Sequence, residues 1–210
     1  MLISYLSWIA VFLILAASSG LLISRNWRWS LALLAVQYLG SFWLVTRHWP
    51  LGMAAVKLVT GWMAIAALAM TLLPLSEDDA HRQKNQTEEQ FLPQGISFRL
   101  FISGVTALIV LAASPRIEAV TPGLGLPVIA GSLLPIGMGL LLLGSTSDIF
   151  RVILGLLTML TGFETLYAAV EGSALVAGLL AIVDLGLALV GAYLIGNSYD
   201  AAESDNEELV

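Results

Sequence analysis

The sequence predicts an all-α fold, a polytopic transmembrane helix bundle of about seven spans, with a count of six also possible. Three observations predict it. Hydrophobic residues make up 58% of the chain and charged residues only 11%, where a soluble domain carries roughly a quarter charged. Apolar runs of the length that crosses a hydrocarbon core, about 20 residues, recur from one end of the chain to the other. The longest polar stretch, residues 76–97, is too short to fold as a soluble domain beside such a bundle.

The first span, Leu2–Ile23, carries small residues at Ala16, Ala17 and Ser18 where a signal peptide is cleaved. It lacks a basic leader, and Arg25 and Arg28 follow the apolar run, so it reads as a retained helix. Trp29–Thr46 and Leu51–Leu73 complete a first group, residues 1–75. A polar cytoplasmic loop at 76–97 separates it from a second group at 98–196. There Phe98–Ala113 and Val128–Leu143 are short, and Pro135 inside the latter is expected to kink or break it, which is the reason six spans remain possible. "TPGLGLP" before the fifth span reads as a turn at Gly123 and Gly125. Ile149–Val170 and Ala174–Ile195 end the bundle, and residues 197–210, "NSYDAAESDNEELV", read as an acidic, disordered cytoplasmic tail.

Basic residues orient the chain. With seven spans and the N-terminus outside, Arg25, Arg28, Arg82, Lys84, Arg99 and Arg151 fall inside, and only Arg47 and Arg116 fall outside. The expected location is the cell (inner) membrane, with the C-terminus cytoplasmic. Trp27, Trp29 and Trp49 lie where interfacial aromatics belong.

Four strongly polar side chains interrupt the spans: Gln37, Lys57, Glu164 and Asp184. A charge at the membrane centre is unfavourable by about 2.5–3.5 kcal/mol on insertion scales, so such groups face a bundle interior or a cavity. Helical spacing agrees: Ala177, Ala181, Ala188 and Gly191 share the stripe of Asp184, and Ala54, Gly61 and Ala64 share that of Lys57. Small residues on those stripes, Gly61, Ala177, Ala181, Ala188 and Gly191 above all, admit a close neighbouring helix. Glu164 shares its stripe with Thr161 and Tyr167. At 1.5 Å per residue, Lys57 and Glu164 lie about 9 Å and Asp184 about 15 Å from the outer ends of their helices, in one layer.

An ammonium between two carboxylates in one layer supports a proton or ion relay of Lys57, Asp184 and Glu164. The same groups also suit an ion pair that fixes helix register, or a Lys57 that snorkels to the interface. Gln37 reads as an interhelical hydrogen bonder. His48 and His81 read as solvated, and the absence of cysteine removes disulfides and thiolate metal sites, so no metal or other cofactor is expected. No nucleotide-binding or hydrolytic motif occurs, which leaves no catalytic centre of the chain's own. The expected partners are the bilayer and other membrane subunits, and not nucleic acid.

The segment "DIFRVILGLLTMLTGF" followed by "ALVAGLLAIVDLGLALVGAYL", together with the earlier "AAVKLVTGWM", resembles the membrane subunits typified by hydrogenase-4 component E. That family is similar in its C-terminal part to the K subunit of NADH-quinone oxidoreductase and to the MrpC-type component of Mrp cation/proton antiporters. The resemblance rests on Arg151, Gly155, Gly162, Lys57 and Asp184. It implies a place in the proton-translocating membrane arm of a complex-I-like assembly, beside antiporter-like subunits. Lys57 and Asp184 match ionisable positions of the family. Glu164 departs from it, because Leu157 and Leu160 stand where relatives carry a glutamate. A purely structural subunit and an independent small-solute or ion transporter are the alternative expectations.

Overall fold

The computed structural model describes residues 2–79 and 95–207, and these form seven α-helices with no strand among them. They are α1 (Leu2–Ile23), α2 (Trp27–Val45), α3 (Leu51–Asp79), α4 (Ile96–Val120), α5 (Leu126–Gly144), α6 (Ile149–Val170) and α7 (Ala174–Glu207). Six of them, all but α2, are long and apolar enough to cross a bilayer.

The helix that falls short is therefore not the one that Pro135 singled out. α5 continues through that proline, which removes only the amide that would have bonded the Gly131 carbonyl. α2 is instead made less apolar by Arg28, Ser30, Gln37, Tyr38 and Ser41. Gln37, Tyr38 and Ser41 are buried, because α2 packs against α1, α3, α5 and α6. These buried polar groups face protein, and hydropathy alone underrates such a helix.

Three boundaries also differ from expectation by more than two residues. α4 runs past Ala113 and through Pro115 to Val120. α3 extends to Asp79, so residues 76–79 of the expected loop are helical, while the rest of that loop up to residue 94, with His81, Arg82 and Lys84, lies outside the described residues. α7 does not stop at Ile195: the segment expected to be disordered is helical to Glu207. No glycine or proline follows Gly196, and the alanines and glutamates of "AAESDNE" are good helix formers. That preference outweighs the unfavourable placing of acids at a helix C-terminus.

α5 and α6 form a tight antiparallel pair. A side chain on Gly162 of α6 would run into the Ser132 carbonyl of α5, so the backbones meet directly there. With one face of α6 held against α5, its opposite face, carrying Thr161, Glu164 and Thr165, is presented to α2 and α7. Two arginines fasten the end of α1: Arg99 of α4 donates to the Leu22 carbonyl at 3.0 Å, and Arg151 of α6 donates to the Ser24 carbonyl at 2.7 Å.

Candidate functional site: a polar junction of four helices

The helices α2, α3, α6 and α7 meet around four side chains. Lys57 of α3 and Glu164 of α6 are buried and joined as an ion pair through Nζ and Oε2. Beside them, the Tyr38 hydroxyl of α2 donates to Oδ1 of Asp184 on α7 at 3.3 Å. Tyr38 and Asp184 are both 0% exposed. The Lys57 ammonium sits 5.8 Å from the centre of the Tyr38 ring, so the phenol neighbours both the ion pair and the second carboxylate. Both Lys57 and Glu164 act electrostatically on Asp184. The other carboxylate oxygen, Asp184 Oδ2, is buried and has no hydrogen-bond partner.

Local sequence explains the seat of the tyrosine. A Cβ at position 61 would overlap the Tyr38 ring, so only glycine lets α3 close over it. Ser41 and Thr165 are hydrogen-bonded to each other and tie α2 to α6 one turn away. The Thr165 and Thr161 hydroxyls also donate to carbonyls one turn back in their own helix, at 2.8 Å each, so they enter the interior with their protons already placed.

A small recess between α3 and α7 reaches the ion pair. Trp49, Thr60, Ala177, Leu180 and Ala181 line it with Lys57 and Glu164, and it has room for about one water. Trp49 is held in place by its indole N–H, which donates to the Glu171 carbonyl at 2.7 Å.

The structure thus brings together Lys57, Glu164 and Asp184, which sequence spacing had placed in one layer. The lysine is turned inward and does not snorkel. Ala188 and Gly191 are buried below Asp184, with Gly191 against Ile153 of α6, and Ala177 and Ala181 are half-buried at the recess. The buried part of the small-residue stripes is filled by the chain's own helices. Gln37 accepts from the Ser18 hydroxyl at 3.3 Å, as an interhelical bonder should. His48 lies in the α2–α3 connection, where partial burial lowers its pKa, opposed by a hydrogen bond to the Leu124 backbone and aided by Arg47.

Tyr38 and Trp49 escaped the sequence reading as site residues. Tyr38 left one signal: it lies mid-span, away from the interfacial belt where tyrosines collect, on a stripe with Ser41. Trp49 left none, because its position is equally that of an interfacial anchor.

One ammonium faces two carboxylates, so the junction carries one excess negative charge when both acids are ionised. Taking up a proton or a small cation would neutralise it. No protein-family model, curated protein or solved structure matches the chain.

Proposed function

We propose that the chain is a membrane subunit that relays protons or small cations through the junction of Lys57, Glu164 and Asp184, with its N-terminus outside and its C-terminus in the cytoplasm. The observation that carries this reading is Asp184: a carboxylate wholly enclosed in the bundle, held by a single donor and beside a lysine already committed to another acid. Burying an under-compensated carboxylate is unfavourable, and intramembrane ionisable groups of this kind mark ion pathways. The recess, with room for about one water, suits ion transfer better than a solute site. The resemblance to hydrogenase-4 component E supplies the setting: an assembly of the complex-I or Mrp type, in which antiporter-like subunits are the neighbours.

A second reading is favoured by the same bonds seen as fasteners. Lys57–Glu164 joins α3 to α6 and Tyr38–Asp184 joins α2 to α7, so the junction would serve only to fix helix register.

The test is to extract the assembly by a tag on this chain, identify its companions, and measure ion translocation after reconstitution. Asp184→Asn keeps size and polarity but cannot change charge. It should assemble normally and lower translocation by about 100-fold, the scale of a positioned acid–base group, with Asp184→Glu retaining part of the activity. Wild-type translocation by an intact Asp184→Asn assembly would leave the fastening role in its place.

A further inference from the structure

Resting on the relay reading above, we infer that the ion exchanged is a proton and not a sodium ion, that it loads at Oδ2 of Asp184, and that Tyr38 is the positioning residue that leaves that oxygen open. The two acids are not equivalent. Glu164 receives the Lys57 ammonium, whereas Asp184 receives only the Tyr38 hydroxyl on Oδ1 and keeps Oδ2 enclosed and without a partner. The Tyr38 ring is clamped over Gly61, so its hydroxyl is aimed at Oδ1 by the shape of the site. The remaining lone pair is Oδ2.

A proton needs that one lone pair, whereas a sodium ion needs several further oxygens converging on it. The one group hydrogen-bonded to Asp184 does not supply them. The Tyr38 hydroxyl points its hydrogen at Asp184, and the Lys57 ammonium next to the phenol repels a cation. Backbone carbonyls are tied up as well, since α6 and α7 run as unbroken helices through Glu164 and Asp184. Sodium-coupled sites commonly use carbonyls of unwound segments, and the helix-interior prolines here, Pro74, Pro115 and Pro135, all lie in other helices. On loading, an O–H bond of hydronium breaks, an O–H bond forms at Oδ2 and water is released, and the junction goes from one excess negative charge to none. The titratable groups facing Asp184 are Tyr38 of α2, Lys57 of α3 and Glu164 of α6.

Infrared difference spectra of the isolated chain in nanodiscs, taken across a pH titration, test this without any partner subunit. The expected result is a protonated-carboxyl C=O band that shifts in D2O and is lost in Asp184→Asn. In Tyr38→Phe the band should survive at a changed frequency, because the carboxyl loses its donor on Oδ1; a purely structural tyrosine would not move it. Should Asp184→Asn fail to fold, carboxyl-13C aspartate in the wild-type chain must downshift the same band. Exchanging sodium for choline at matched ionic strength should leave both the titration midpoint and the melting temperature unchanged. The inference is overturned by a band that survives Asp184→Asn or ignores the aspartate label, or by a sodium-dependent rise in melting temperature that Asp184→Asn abolishes. The two readings part cleanly: a lost band with unaltered translocation by the assembly would sink the relay and keep the proton site. Impaired translocation with no aspartate band would do the reverse.

Discussion

The bundle holds buried cations of two kinds, and they are used differently. Arg99 and Arg151, only 4% and 6% exposed, send N–H groups to carbonyls at the C-terminal end of α1. Those acceptors are fixed dipoles, the end of a helix favours a cation, and a guanidinium does not lose its proton. Lys57, buried to the same degree, meets a carboxylate, with a second carboxylate at the hydroxyl of the neighbouring Tyr38. Helix α6 carries both arrangements, with Arg151 and Glu164 thirteen residues, or about 20 Å, apart along its axis. Burial of charge therefore does not by itself mark a relay. What sets the junction apart from these carbonyl contacts is that its acceptors can change their own charge.

The most forceful way to break this comparison is to strand Lys57. Glu164→Leu leaves an ammonium buried without its partner and should lower stability by about 3–5 kcal/mol, measured by thermal unfolding in detergent. Lys57→Met/Glu164→Leu removes both charges and should recover most of that loss while leaving translocation impaired. A double variant as unstable as the single one would mean that the pair is an essential fastener, and the contrast with the arginines would lose its meaning. A smaller effect is expected at the other end: Arg151→Met gives up a charge-assisted hydrogen bond and should cost about 1.5–3 kcal/mol, with translocation per folded molecule unchanged. Reduced translocation at equal folding would extend the pathway to that end of α6.

The difference between the two regions also governs what could be read from the sequence. Lys57, Glu164 and Asp184 were legible because charge inside an apolar run is conspicuous and the 1.5 Å rise sets depth. The partners were not. Which carboxylate takes the lysine depends on how α3, α6 and α7 rotate and cross, and no periodicity within one helix encodes that. Gly61 was legible as small, but what it makes room for, the ring of Tyr38, is a contact between α3 and α2. The limits of α6 agree with the sequence reading to the residue, and Asp148 caps its start by accepting from the Arg151 amide. α7 runs beyond its expected end because the helix propensity of the tail outweighs its acidity. The break that Pro135 made possible does not occur, because a helix tolerates one missing amide.

The smallest expected effect lies at the solvated edge, where titration has weak consequences because water competes. His48 precedes Trp49, whose indole closes one side of the recess, and burial lowers its pKa, with the Leu124 hydrogen bond acting in the opposite sense. The sign follows from linkage. Well above the ordinary imidazole value of about 6.5, both folded and unfolded chains hold His48 neutral and it adds no pH dependence. As the pH falls through that value the unfolded chain binds a proton first, so the folded state loses stability until the pH passes below the lowered folded value, where the deficit becomes constant. His48→Gln should therefore flatten the dependence of the melting temperature on pH within that window and change nothing above it. Its effect should be smaller than those of Glu164→Leu and Arg151→Met, since this imidazole is largely exposed and its charge is screened. An unchanged slope in His48→Gln would assign the acid sensitivity to other groups. A slope that steepens would mean that protonated His48 is favoured in the folded state, with the Leu124 bond prevailing over burial.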